Sequence, residues 1–581
     1  MLSMEQPARS PNHVAFERKL RRLSVQKQEW AATSVAVRLQ YLNGIIKQIE
    51  RLDHEQWARD VVYTRGYNPR HASSGLLIAE QALENAKVLM NTTRRLQRNY
   101  KALIKNGKLP FLDSRRANDH TILRSFPEDM YDRFSSEGQA GITNEIYLMP
   151  GTNQKKQPKQ AHNGRVCLVL GSGLQTYLSF KAMMHQLFVE GDVCFLKHHR
   201  LRSTCVHFYN AIFSELIKDG FVATAIGRDE LGKELSKHRL VEYVHLTGQR
   251  ETQEAMIWGE RPQTRKKNKE HFRPVFNKRI SSSLGSVVPW LIPSGATWTD
   301  DEIDHGAAVL ASALGNQHAP RCVTPQLVVV DRDWPQRNEF FNAVKRRLSM
   351  IPLQPAYYPN TLIRYQNVLR HYGAHEINVI KSLPSDAVPT HKLGNCLPWL
   401  LLNVDQQSST HILENDAGGP VLAFYDVRAS NSARMFFDLS IDLLNTSVHG
   451  TTTCTMLIPP GLELSNQQTL QNAIQRLRYG SIGINVAGST MYSMSGVPWG
   501  AYPGEVATEP VSGAGFTNNA HFLEGIRNSV TRGPFKNTAQ RTLLTSVSFP
   551  SHEARLKAIQ NVVLRPSIAG LMKVAYHNVK M

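Results

Sequence analysis

The chain has 581 residues, 41% of them apolar and 20% charged. That is enough for two or three domains with a large core, and it excludes a disordered or low-complexity protein. Sixty-eight Lys and Arg against 48 Asp and Glu leave a net charge of +20. This favours anionic partners such as nucleotides, phosphorylated substrates or RNA, although most basic enzymes bind none of the larger ones.

Six cysteines (Cys167, Cys194, Cys205, Cys322, Cys396 and Cys454) are widely spread and form no CxxC pair or metal-ligand spacing. A disulfide framework and a metal site are therefore not expected, and a reducing compartment is. No run of about 20 apolar residues predicts a membrane span, and the N-terminus lacks the apolar core of a secretory signal. The final Val579-Lys580-Met581 matches a peroxisomal address only loosely. An intracellular, cytoplasmic location is expected, with a peroxisome-like organelle or a mitochondrion as alternatives.

From Val14 the spacing of Phe16, Leu20 and Leu23 predicts a helix. Leu42, Ile45, Ile46 and Ile49 predict a second, and a third covers roughly Ser74 to Lys101. Alternation at Ile142, Ile146 and Leu148 predicts a strand within an excursion near 138–150, read as an edge strand used in oligomerisation. Gly151 to Gly164 reads as a linker.

The most regular passage follows. Val166 to Leu170 is a buried-type strand and Gly171-Ser172-Gly173 a tight turn. Then come a helix (Leu178 to Val189), a strand (Val193 to Lys197), a helix (Cys205 to Lys218) and two further strands at Phe221 to Ala225 and Tyr243 to Thr247. Such strand–helix–strand spacing gives a parallel sheet with right-handed crossovers, and nucleotides bind such sheets at the carboxyl ends of the strands. The Arg261 to Arg279 stretch is basic and proline-punctuated. It reads as a solvated loop, with an RNA contact as the sharper alternative. Farther on, the small-residue helix around Ala307, Ala308, Ala311 and Ala313 runs into a polar turn carrying Cys322, and the strand Val328 to Val330 follows. A cysteine on such a turn is a plausible nucleophile, although a lone cysteine is more commonly a buried structural thiol.

From about Val14 to Gly533 the chain resembles the NAD(P)-dependent aldehyde dehydrogenase superfamily, on five landmarks in order. Lys197 closes a strand where the family's lysine contacts the nucleotide ribose. Leu246-Thr247-Gly248 is similar to its Phe-Thr-Gly turn beneath the pyrophosphate, and Ser283-Leu284-Gly285 to its Glu-Leu-Gly. Asp416-Ala417-Gly418-Gly419-Pro420-Val421 resembles its Glu-x-Phe-Gly-Pro-Val. Leu477 to Gly480, Gly483 to Val486 and Pro498 to Gly504 resemble its late Gly-rich segment. The resemblance implies an α/β fold. A Rossmann-type parallel-sheet cofactor domain with the N-terminal helices would span residues 1–283, and a second α/β catalytic domain residues 284–510. A C-terminal segment, 511–581, would pack back or onto another subunit.

It also implies a cysteine nucleophile, Cys322, an aldehyde substrate, NAD or NADP as cofactor, and a homo-oligomer. The cofactor would lie on Gly171, Gly173, Lys197, Thr247, Gly248 and Asp416. Several positions depart from the pattern. The oxyanion Asn is Leu174, with Gln175 beside it as a donor if the turn shifts by one residue. The water-activating Glu is Ser283. The acidic residue expected just past Lys197 is absent, and Arg200 or Arg202 stands where a 2′-phosphate would pair. Arg321 precedes the nucleophile and would favour thiolate. Losing an oxyanion donor costs about 10²–10³ in rate, and losing a general base roughly a further 10²–10⁴. Three readings stay open: a dehydrogenase with rearranged helpers, an acylating enzyme that passes its thioester to CoA or another acceptor, and a catalytically retired scaffold that binds an anionic partner such as RNA.

Overall fold

A computed structural model describes residues 11–109, 112–117, 119–128, 132, 141–152, 164–315, 322–536 and 550–579. Arg321, most of the expected linker at 151–164 and the last two residues lie outside this set.

Four helices open the chain. Phe16, Leu20 and Leu23 share one buried stripe of α1 (Pro11–Ala32), as their spacing requires. Ser34 caps α2 (Val35–Arg51) by accepting from Val37 N, and Leu42, Ile45 and Ile49 are its buried face. Asp53 caps α3 (His54–Thr64) in the same way. The long α4 (Gly75–Asn106) stops at Gly107, whose φ of 64° lets its N–H close on Leu103 O.

Strands β1 (Ser114–Ala117), β2 (His120–Phe126) and β3 (Thr143–Leu148) form an antiparallel meander. A parallel sheet follows, built from β4 (Val166–Leu170), β5 (Val193–His198), β6 (Val222–Ile226), β7 (Tyr243–Gly248) and β8 (Arg279–Leu284) in the order β8-β7-β4-β5-β6. Its crossovers carry α5 (Leu178–His185), α6 (Asp229–Lys237), α7 (Arg250–Trp258) and α8 (Pro262–Glu270). Because β4 has β5 on one side and β7 on the other, the crossovers diverge there. The crevice at the carboxyl ends of β4, β5 and β7 is thus a topological switch point, where such sheets bind ligands.

The second half holds β9 (Pro289–Ile292), α9 (Asp300–Gly315), β10 (Leu327–Asp331), α10 (Thr361–His371), β11 (Ile377–Ile380), β12 (Trp399–Val404), β13 (Val421–Val427), β14 (Thr453–Met456), β15 (Ser481–Ile484) and α11 (Gly488–Ser493). After these come β16 (Gly513–Ala514), β17 (Ile526–Arg532), α12 (Pro550–Leu564) and α13 (Ile568–Val579). Eleven strands make the large sheet, ordered β1-β2-β3-β17-β15-β14-β9-β10-β13-β12-β11, while β16 pairs antiparallel with β8 of the smaller one.

Three local expectations need correction. The strand near 142–148 is not an edge, because β3 pairs with β2 on one side and β17 on the other. The expected helix from Cys205 to Lys218 is two short helices broken at Phe213 (φ −99°, ψ 21°). The Arg261 to Arg279 stretch contains a helix, α8. Pro262 suits its first turn, where a missing N–H costs nothing.

Candidate active site

The Gly171-Ser172-Gly173 turn leaves β4 and folds back onto β5, with Gly171 N donating to Lys197 O (2.9 Å). A Cβ on Gly171 would sit 2.9 Å from Ser179 Oγ, and one on Gly173 only 2.4 Å from His199 Nδ1, so both approaches require glycine. His199 lies against Tyr358, with ring centroids 6.2 Å apart and planes at 14°. Burial and the nearby Lys197 and Arg202 lower its pKa to about 4, so the ring is neutral and its Nδ1 accepts from Leu201 N (3.2 Å).

Lys197 ends β5 with its side chain buried. Burial lowers its pKa, and the carboxylates of Asp229 and Glu230, in the first turn of α6, oppose that shift. The acidic charge near Lys197 thus comes from the crossover between β6 and β7. Thr247 and Gly248 close β7, and α7 starts at Arg250 with no side-chain cap on its amino end.

Arg200 is exposed. It borders a cavity of about 590 Å³ with Tyr357, Tyr358, Asn360 and Ile363. Arg202 is buried and already committed, its guanidinium donating to Leu174 O (Nε, 3.1 Å, and Nη2) and to Thr64 Oγ1 (3.0 Å). It braces the turn and presents no free fork to a phosphate.

That turn carries Gln175 and is clamped from several sides. Thr176 Oγ1 donates to Asn85 Oδ1 (2.5 Å), Tyr209 OH to Thr176 O (2.5 Å) and Tyr177 OH to Glu84 Oε1 (2.6 Å). Gln175 itself is buried, and among the described residues nothing donates to its Oε1. A buried amide oxygen left unpaired is costly unless another group arrives to meet it.

Cys322 sits half-buried on the turn before β10 and packs against the core beneath the smaller sheet. Tyr492 is buried in the same core, and burial raises its pKa. Tyr492 meets Tyr177 (centroids 6.0 Å) and stands edge-on to Trp499 (5.1 Å, 85°). The aromatic side chains next to the Gln175 turn thus belong to the core that Cys322 packs against. The other five cysteines have their thiol pKa values raised by burial.

Asp416 is half-buried and held on three sides. It accepts from Gly418 N (2.8 Å) and Gln326 Nε2 (2.8 Å), and Arg364 Nη1 of α10 lies 3.5 Å away. Burial raises its pKa and Arg364 pulls it down. A Cβ on Gly285 would fall 2.8 Å from Asp416 Oδ2, so the end of β8 with Ser283 meets the Asp416 turn at close range.

Two residues of this neighbourhood carried no readable signal in the sequence. Gln326 also accepts from Ala417 N through its Oε1 (3.0 Å), tying the Cys322 strand to the Asp416 turn. Lys181 of α5 is fully buried. Its amine donates to Tyr492 O and lies 4.4 Å above the Tyr492 ring, and burial lowers its pKa to about 7. Among the described residues no group of His, Cys, Asp and Glu could hold a metal ion, and no helix is long and apolar enough to cross a membrane.

No protein-family model and no curated protein matches the sequence. Solved structures do match. NADP-dependent glyceraldehyde-3-phosphate dehydrogenase from Bacillus halodurans C-125, crystallised with NADP, aligns over 90% of this chain and 91% of its own at 12% identity (TM-score 0.57). Betaine aldehyde dehydrogenase from Staphylococcus aureus aligns over 89% and 86% at 16% identity (0.57). Gamma-glutamyl-gamma-aminobutyraldehyde dehydrogenase from Burkholderia cenocepacia J2315 aligns over 89% and 87% at 15% identity (0.58). Identities this low speak to architecture, and on that ground the chain has the aldehyde dehydrogenase fold.

Proposed function

We propose that the protein oxidises an aldehyde with NAD or NADP, through a thiohemiacetal and thioester on Cys322. The observation that carries this reading is the convergence of the Cys322 turn, the Gln175 turn and the Asp416 turn around the crevice of the smaller sheet. Lys197 with Asp229 and Glu230 suits ribose hydroxyls, and the uncapped start of α7 after Thr247-Gly248 suits a pyrophosphate. The bound nicotinamide supplies the hydride acceptor. Cys322 Sγ attacks the carbonyl carbon, and its own N–H is the first donor to the oxyanion. Gln175 supports that charge once its side-chain amide is flipped, so that Nε2 takes the place Oε1 now holds. Asp416, fixed by Gln326 and Arg364, lies against the end of β8.

Ser283 has no basicity near neutral pH, so release of the acyl group is the slow step. Incubation with NAD+ or NADP+ and a panel of aldehydes is expected to give a burst of about one reduced nicotinamide per site, then a slow phase, with Cys322→Ala giving neither. CoA accelerates the slow phase if the enzyme is acylating, and Ser283→Glu accelerates it without CoA. Folded protein that gives no burst with any pair sinks the proposal. The second reading, a retired scaffold, is favoured by Leu174 and Ser283 standing where donor and base would be. A homo-oligomer belongs to the proposal and is tested by its mass in solution.

A further inference from the structure

The segment 260–279 stands outside everything the crevice uses. It joins α7 to β8 at the amino ends of the smaller sheet's strands, opposite Lys197 and Gly248. It holds eight Lys and Arg against two Glu, and α8 buries none of its residues. Yet it is firmly built. Arg265 donates to Gly259 O (3.3 Å) and Glu260 O (3.2 Å), Asn268 Nδ2 to Trp258 O (2.8 Å), and Val275 N to Ile257 O (2.7 Å).

The helix ends in a Schellman turn: Arg273 N donates to Asn268 O (2.8 Å) and Phe272 N to Lys269 O (3.1 Å). The residue in the left-handed position, normally glycine, is Phe272, with φ 47°. A bulky residue there is an outlier that the surroundings must maintain. The strain does not bring the ring into a core: Phe272 is 67% exposed and meets Trp258 edge-on (centroids 5.7 Å, 65°). Around it Lys269 and Arg265 are held by Glu254, and Lys266 by Glu270. Arg261, Lys267 and Arg273 have no ion pair among the described residues.

We propose that this tip binds single-stranded nucleic acid, with a base stacking on Phe272 and phosphates pairing with Lys267, Arg273 and Arg261. A strained, exposed ring on a rigid basic helix gives the two elements such binding needs, a stacking platform and a cationic track. An anionic membrane fits less well, because α8 has no apolar face to bury and only Val275 joins Phe272 as an exposed large apolar side chain of the segment. The inference does not depend on the Cys322 chemistry.

Fluorescence anisotropy of a labelled 20-mer of uridine with the full chain, at 50–200 mM KCl, is the test. Phe272→Gly should weaken binding about 5- to 150-fold, the equivalent of about 1–3 kcal/mol for one stacked base. The same variant should melt no lower than the parent, since glycine suits the left-handed turn. Lys267→Ala with Arg273→Ala should weaken binding and flatten the slope of log K against log salt by about 0.7 per lost phosphate contact. Parent protein that does not bind at 50 mM KCl overturns the proposal, as does equal affinity of all three proteins. Preference for phosphatidylserine vesicles, lost in Phe272→Gly, would assign the tip to a membrane surface instead and equally overturn it.

Discussion

A lysine amine carried on a helix whose every residue is buried gives up its hydration. At Lys181 one carbonyl hydrogen bond and the face of Tyr492 replace it. Because burial depresses the folded-state pKa to about 7 from an ordinary 10.5, the effect on stability is a penalty. It is fully present below pH 7, where both states are protonated, and it fades as pH rises from 7 toward 10.5. Lys181→Met, which fills the same space without a charge, is therefore expected to stabilise the protein. Urea unfolding should show a gain of about 2 kcal/mol at pH 6.5 that shrinks by pH 9; a gain independent of pH would mean the amine is not desolvated as drawn. Nothing in the sequence distinguished this lysine from a solvated one, since burial of a helix position depends on what packs across it. The turn position of Cys322 was legible because a turn between a small-residue helix and a β-branched strand shows locally. Gln326 was not, because its partners at 416 and 417 are distant in the chain.

Between β4 and α5 the backbone makes no regular structure, so its shape is imposed by side chains from elsewhere. Arg202 is the chief of these, bridging Leu174 O and Thr64 Oγ1, and the spacing past Lys197 read it instead as a phosphate ligand. The two roles predict different outcomes for Arg202→Ala. As a brace, its loss leaves Leu174 O unpaired and should lower stability by about 1–3 kcal/mol, while weakening NAD+ and NADP+ binding by similar factors. As a phosphate fork, its loss would weaken NADP+ alone. Thermal melts with and without each nucleotide separate the two, and a selective loss of NADP+ would refute the brace. Elements with strong periodicity, β4, β5, β7 and the stripe of α1, sit where the pattern put them. The pattern failed at α8, where charge hid a helix that has no buried face to generate periodicity.

Across the whole molecule the two sheets are joined by the segment after residue 510, for which the sequence left packing back and packing onto another subunit both open. Residues after 510 add β16 to the smaller sheet and place β17 between β3 and β15, inside the larger one. They then run as α12 along α4. There Arg94 donates to Val563 O (2.7 Å) and Leu564 O (3.0 Å), and Leu556, Ile559 and Val563 enter the same core as α1 and β4. The final helix α13 is different, leaving Ile568 and Met572 largely exposed (75% and 67%). Two truncations should consequently diverge. Removing 568–581 takes away little buried apolar surface and should leave a soluble protein melting within a few degrees of the parent. Removing 550–581 uncovers the apolar side of α4 and strips two hydrogen bonds from Arg94. At about 1.5–3 kcal/mol for each large apolar side chain returned to water, the loss of three approaches the whole stability of a typical fold. That chain should accumulate as aggregate. Equal solubility and melting temperature for the two truncated chains would mean that α12, too, is an appendage.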